Sequence, residues 1–286
     1  MMRSYLPLAL CAVICAAAAC RDDAPPAPTP AQALNSRATA YLGEGRTAEA
    51  IALLDSAIAL DPKLANAYKN RGNAYRRNGD IDAAIREYST AISLNGKDGR
   101  YFNDRGFAYL RQYKYTEAVR DFDSALVLNP DNALAYGNRG RTHFFLGNLQ
   151  QAERDLEREF ASDSNNIYLA IWMHFIRGRL NHGDSTHLAA EITRMDTIAW
   201  PGPVARFFLG RINADELLRL SAGHDSTTRT DRRCAWFFYR GEDDLINNRK
   251  ADAIKNFEQA EAVCPVRFSE YYGAVAELKA LRKSPS

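Results

Sequence analysis

The stretch Phe102-Asn103-Asp104-Arg105-Gly106-Phe107-Ala108-Tyr109, followed after a short gap by Ala118-Val119-Arg120-Asp121-Phe122-Asp123-Ser124-Ala125-Leu126-Val127-Leu128-Asn129-Pro130, decides the fold. Phe102, Gly106 and Tyr109 stand at i, i+4, i+7, as do Ala118, Phe122 and Ala125, so each trio occupies one helix face. Gly106 has no side chain where the first helix meets the second, and Ala118 supplies the facing small surface. Two amphipathic helices packed closely and antiparallel follow from these positions.

The same pattern recurs on both sides. Pro62, Gly96, Pro130 and Ser164 follow one another at intervals of 34. Small residues at Ala38, Gly72, Gly106 and Gly140 precede Tyr41, Tyr75, Tyr109 and His143 by three positions. Ala50, Ala84, Ala118 and Ala152 lead a second set through Leu54, Tyr88, Phe122 and Leu156 to Ala57, Ala91, Ala125 and Glu159. Gly45, Gly79 and Gly147 fall at the junction inside each hairpin, where a left-handed residue ends the first helix; Tyr113 breaks that rule. Period and small/large pattern resemble the tetratricopeptide repeat, which implies an all-α fold, a right-handed α-α superhelix, with four repeats over residues 31–164.

From residue 165 to 233 the signature residues are missing while apolar groups still cluster as helices, which predicts two degenerate helix pairs. The first runs from Ile167 through Trp172 and Met173, then from Ser185 to Met195. The second opens at Trp200-Pro201-Gly202-Pro203, with Pro203 in the first helical turn and Asn213-Ala214-Asp215-Glu216 as a capping box. Periodicity returns at Phe237, Gly241, Ala253, Phe257, Ala260 and Pro265, giving a further repeat over 234–265 in which Cys234 opens the first helix and Asp244 replaces the usual Tyr. Ser269–Leu281, within 266–286, reads as an amphipathic helix that caps the open end of the stack.

The first residues carry a different message. An apolar run from Tyr5 to Ala19 after Arg3 is too short to span a bilayer and reads as a secretory signal, residues 1–19. It ends at Cys20 after three alanines, which resembles a bacterial lipobox and implies a diacylglyceryl-modified Cys20; the alternative is cleavage after Ala-x-Ala with a free thiol. Residues 20–30 then form a Pro-rich tether, holding the folded part roughly 30 Å from the lipid surface. Arg21 after the lipidated Cys implies the outer membrane, facing the periplasm.

With 37 Lys+Arg against 35 Asp+Glu, the chain has no polybasic footprint and no nucleic-acid partner is expected. His143, His174, His182, His187 and His224 lack metal-ligand pairing, and no phosphate loop or nucleophile elbow is present. Neither an enzyme, nor a cofactor, nor a metal site is expected. Cys234 and Cys264 lie where antiparallel helices come side by side, either as a disulfide in an oxidising compartment or as two small core residues.

The face of each first helix turned away from its partner lines the concave surface, where peptides dock. It offers Asn35, Asn66, Lys69, Asn73, Arg100, Asn103, Phe107, Leu110, Arg141, Phe144 and Phe145 as a partner-binding groove. Lys69 and Asn73 resemble part of a carboxylate clamp, but Asp104 and Leu134 stand where that clamp has Asn and Lys.

Three stretches go beyond the generic repeat: Trp200 to Gly210, Arg233 to Glu242 and Ser269 to Leu278. With the lipobox and the repeats they resemble the NlpI-type tetratricopeptide lipoproteins. That resemblance implies a homodimeric outer-membrane adaptor joining a periplasmic protease to peptidoglycan hydrolases and other cell-wall enzymes. Two other readings stay open: an assembly lipoprotein (a pilotin or an accessory of outer-membrane protein insertion), and a cell-wall hydrolase using Glu191 or Asp215.

Overall fold

The structure is a computed structural model and describes residues 27–182, 185–223 and 225–283. The signal 1–19, Cys20, the tether as far as residue 26, and His224 lie outside the described residues.

Eight helices of near-equal length make four hairpins: α1 (Pro30–Gly43) with α2 (Thr47–Leu60), α3 (Ala65–Arg77) with α4 (Ile81–Leu94), α5 (Gly99–Arg111) with α6 (Tyr115–Leu128), and α7 (Ala133–Phe145) with α8 (Leu149–Ser162). Side-chain caps set the starts of α4 and α7: Asp80 accepts from Ala83 N at 3.0 Å and Asn132 from Ala135 N at 3.2 Å. Helix ends inside each hairpin share one geometry. Gly45, Gly79 and Gly147 have φ of 78°, 86° and 78°, and the next N–H reaches back to Tyr41, Tyr75 and His143 carbonyls at 2.9, 3.0 and 2.9 Å. Tyr113 adopts the same left-handed conformation, φ 60°, and Lys114 N donates to Tyr109 O at 3.0 Å. The hairpin geometry therefore persists there without its glycine, at a backbone cost of about 1–2 kcal/mol.

Close packing within hairpins follows from the glycines. A Cβ at Gly72 would lie 2.6 Å from Tyr88 Cε1, and one at Gly106 2.9 Å from Phe122 Cε1. Between hairpins runs an arginine ladder of the same period. Arg71 pairs with Glu87 of its own hairpin and Asp55 of the preceding one, and Arg139 likewise with Asp155 and Asp123. Arg105 pairs with Asp121 and donates to Ser89 Oγ at 3.1 Å.

After α8 the regular stack changes. α9 (Ile167–Arg179) is apolar over most of its length and largely buried, with Leu169, Ile171, Trp172, Met173, Phe175 and Ile176 in the core, while Tyr168 is exposed and Arg177 and Arg179 close its last turn. The partner of α9 and both helices of the second degenerate pair shrink to about two turns each: α10 (Ser185–Glu191) followed by a 3-10 turn, then α11 (Gly202–Phe208) and α12 (Ala214–Leu220). Pro203 sits in the first turn of α11, and Asn213 accepts from Glu216 N at 2.9 Å. The Glu216 side chain, expected to return that cap, pairs with Arg219 instead.

α13 (Ser226–Ile246) begins at Ser226, not at Cys234 as the sequence suggested, because Asp225 caps it by accepting from Thr228 N at 2.9 Å. α13 and α14 (Lys250–Val263) form the last hairpin, in which Cys234 and Cys264 are disulfide-bonded. Asp244, at the position of the usual Tyr, is fully buried and accepts from Arg249 Nε and Asn256 Nδ2, each at 2.7 Å.

The final helix, α15 (Ser269–Lys283), packs on α13 and α14 as a cap would, and it also reaches back to α7. Glu277 hydrogen-bonds Arg179 of α9, Glu270 accepts from Tyr239 Oη of α13 at 3.2 Å, and the Tyr272 ring lies 5.5 Å from Tyr113. The expected end cap is thus also an inner strut. Among the described residues there is no strand, and no helix there is long and apolar enough to cross a membrane.

Candidate functional site

The first helices of the N-terminal hairpins, α1, α3 and α5, contact one another in succession and present a shared inner wall. Its polar groups are joined across neighbouring repeats. Asn70 Nδ2 donates to Asn35 Oδ1 at 2.9 Å and Thr39 Oγ1 at 3.1 Å. Tyr101 Oη donates to Asn66 Oδ1 at 2.9 Å, and within one hairpin Tyr88 Oη donates to Asn73 Oδ1 at 2.8 Å. Burial pushes the Tyr88 hydroxyl up to about 12, so it remains a donor at any physiological pH. Lys69 Nζ lies 3.8 Å from Asp104 Oδ2, and burial of Asp104 raises its carboxyl against the pull of Lys69.

Of the groove residues expected from the sequence, Asn35, Asn66, Lys69, Asn73 and Phe107 remain at least partly open on this wall. Arg100 is exposed but turns to the carboxylate capping its own helix, Asp98, with Nε 2.9 Å from Oδ1. Asn103 is buried, accepting from Asn138 Nδ2 at 3.1 Å. Leu110, Phe144 and Phe145 belong to the core, not to an open face. Phe144 stacks edge-on against Trp172 and Phe175 of α9, with centroids 5.2 and 5.5 Å away, and Phe145 meets Tyr272 of α15 at 6.4 Å. The physical reason is that α9 and α15 cover the inner faces of α5 and α7.

The open wall therefore ends against α15. At that end a cavity of about 270 Å³ is bounded by Phe107, Leu110, Asn138, Arg141, Arg267 and Tyr272. Arg141 and Ser269 also border a second cavity of about 640 Å³, walled by Tyr168, Trp172 and Trp200. Arg141 is held by Glu159, with Nη1 to Oε2 at 2.9 Å. Glu270, buried at the edge of the larger cavity, has its carboxyl raised by desolvation. Asn70 and Asn138 were missed from the sequence, and α15, expected there only as an end cap, was not expected to border this wall. Asn70 and Asn138 share the repeat period with Asp104, a signal that was available.

Glu191 is tied by Arg177 Nη1 at 2.9 Å, and Asp215 is exposed in the first turn of α12. His174 packs on Phe208 and burial lowers its imidazole to about 4. No group of three or more His, Cys, Asp or Glu able to hold a metal ion occurs among the described residues.

Stacked helical hairpins with a polar inner wall define a repeat scaffold for protein–protein interaction. The tetratricopeptide repeat family pattern matches residues 15–65, 35–99, 69–112 and 103–167, more than half of the chain, and the protein belongs to that family. Solved structures agree on the fold. A tetratricopeptide repeat protein from Parabacteroides merdae is 18% identical, with a TM-score of 0.57 over 86% of this chain and 99% of that one. The pilF protein of Pseudomonas aeruginosa is 18% identical, TM-score 0.54, over 87% and 97%. MamA of Desulfovibrio magneticus RS-1 is 17% identical, TM-score 0.51, over 58% and 93%.

Proposed function

We propose that the protein is a lipid-anchored adaptor on the periplasmic face of the bacterial outer membrane, which holds client proteins on the inner wall of its repeats and performs no bond-making itself. The observation that carries this reading is the open, amide-lined wall of α1, α3 and α5, where Asn66 is exposed and Asn73 and Lys69 are half-covered. Side-chain amides and a half-neutralised Lys suit the alternating donors and acceptors of an extended peptide backbone. The N-terminal apolar run ending at Cys20 supports the anchor, and the resemblance to NlpI-type lipoproteins supports a homodimer whose clients are a periplasmic protease and peptidoglycan hydrolases or other cell-wall enzymes.

The test is photo-cross-linking in intact cells from residues placed at Asn66 and Asn73. Recovery of a protease or a wall enzyme from both positions is the expected result. Adducts confined to the membrane-protein insertion machinery, or none, would end the adaptor reading. Cys20→Ser should release the protein from membranes into the soluble periplasmic fraction; continued membrane association of that variant would remove the lipid anchor from the proposal.

A further inference from the structure

A second surface lies beyond the open part of the inner wall, where the helix ends inside the hairpins meet the last helix. Between the α5–α6 turn, the end of α7 and the C-terminal half of α15 opens a cleft of about 500 Å³. Tyr113, Tyr115, Phe145 and Leu146 form one side, and Val275 and Ala276 of α15 the other. This volume is ordinary for a bound side-chain cluster, within the roughly 300–1,000 Å³ of ligand pockets. Tyr113 and Leu146 are exposed large apolar residues, 44% and 40% accessible, and both belong to this cleft.

The backbone places Tyr113 there against its own preference. Gly45, Gly79 and Gly147 take the left-handed conformation at the equivalent turn in the other three N-terminal hairpins, and a Tyr takes it only here. The ring stands 5.5 Å from Tyr272 and 6.3 Å from Tyr115, and Tyr113 Oη reaches Tyr271 Oη at 3.4 Å. Strain retained where relaxation by a Gly is available in sister repeats marks a position held for what its side chain does.

Charge then selects the occupant. At the floor, Glu277 is neutralised by Arg179. At the mouth, Lys279 and Lys283, one helical turn apart, are exposed, and neither pairs with a carboxylate among the described residues. An apolar slot with a cationic lip fits a segment that inserts a large aliphatic or aromatic side chain and lays carboxylates on the rim. We infer that this cleft is a second docking site, taking an acidic peptide segment of a partner protein anchored by one or two large apolar residues. A chain with such a cleft and a separate inner wall holds two proteins at once.

The test is fluorescence anisotropy of the purified full-length chain with a fluorescein-labelled peptide carrying a central Leu-Phe between Glu and Asp flanks. Two twins serve as comparators, one with Lys flanks and one with Ser-Ser in place of Leu-Phe. The acidic Leu-Phe peptide should bind, and both twins should bind at least about tenfold more weakly. The double variant Lys279→Glu, Lys283→Glu should reduce affinity about tenfold. Tyr113→Gly, which suits the left-handed turn and keeps the fold, should do the same. Equal binding of the Lys-flanked twin, unchanged affinity in both variants, or loss of binding on Asn73→Ala instead, would overturn the proposal. So would a concentration-dependent dimer that these variants dissociate, because the cleft would then be filled by a second copy.

Discussion

Glu242 is fully buried between α9, α13 and α15, with neither carboxylate oxygen hydrogen-bonded. Arg179 Nη1 lies 3.6 Å away but is shared with Glu277, so one guanidinium faces two carboxylates. Burial, with Glu277 adding to it, raises the Glu242 carboxyl well above its ordinary value of 4.5. The folded state then holds a proton that the unfolded state has released, so stability is fullest near the ordinary carboxylate pKa and falls as pH climbs toward the folded value. Melting temperature should therefore decline as pH rises above about 5, and Glu242→Gln should flatten that decline while adding about 1 kcal/mol or more at neutral pH. Identical pH slopes for parent and variant in a thermal-melt series would refute the assignment. Such a residue was invisible in the sequence, because nothing in the local pattern around Glu242 says that α15 returns to lie over it. Phe144 and Phe145 misled for the same reason: their helix face is correct for a concave wall, and only long-range packing by α9 and α15 turns it into core.

Within single elements, legibility followed periodicity. The hairpins α1 to α8 were readable because Gly and Ala recur where helices touch, and steric contact makes those positions intolerant of size. Gly72→Ala should lose about 1–3 kcal/mol by pressing a methyl group into Tyr88, whereas Gly43→Ala, with nothing within 4 Å, should be neutral or gain slightly. Equal effects in chemical denaturation would mean that helix contact is not the reason for the small residues. The start of α13 was missed because its first two turns, Ser226 to Arg233, are polar throughout and are fixed by the Asp225 cap, not by an apolar stripe. In that hairpin the Cys234–Cys264 bond closes a segment with a sequence separation of 30. Constraining a loop of that size stabilises by about 2–4 kcal/mol. Adding reductant should lower the melting temperature of the parent chain and leave a Cys234→Ala, Cys264→Ala variant unmoved; a reductant-insensitive parent would show that the bond contributes nothing.

Across the whole molecule, two regimes of packing coexist. In α1 to α5 buried apolar residues fall into small separate clusters, each bridging adjacent helices, as in a solenoid whose stability is a sum of neighbour terms. From Leu110 to Leu278 most of them merge into one core running through α9, α13 and α15, with only Ala125, Leu126 and Ala135 in a further small cluster between α6 and α7, because α15 folds back and closes the stack on itself. A disturbance at the C-terminus should then spread widely through the merged core and barely at all into the first hairpins. Ending the chain before Ser269 returns Tyr272 and Leu278 to water and uncovers Phe238, against which Gly273 packs. At about 1.5–3 kcal/mol for each large apolar side chain, that loss is comparable to the stability of a small domain. Hydrogen exchange on the truncated chain should show amide protection collapsing in α9, α13 and α14 while α1 to α4 keep theirs. The inner wall that carries the proposed client site would consequently survive the truncation, and clients captured through Asn66 and Asn73 should still be captured. Uniform loss of protection from α1 onward would instead mean that the chain folds as one cooperative unit, with the wall's geometry depending on the helix that closes it.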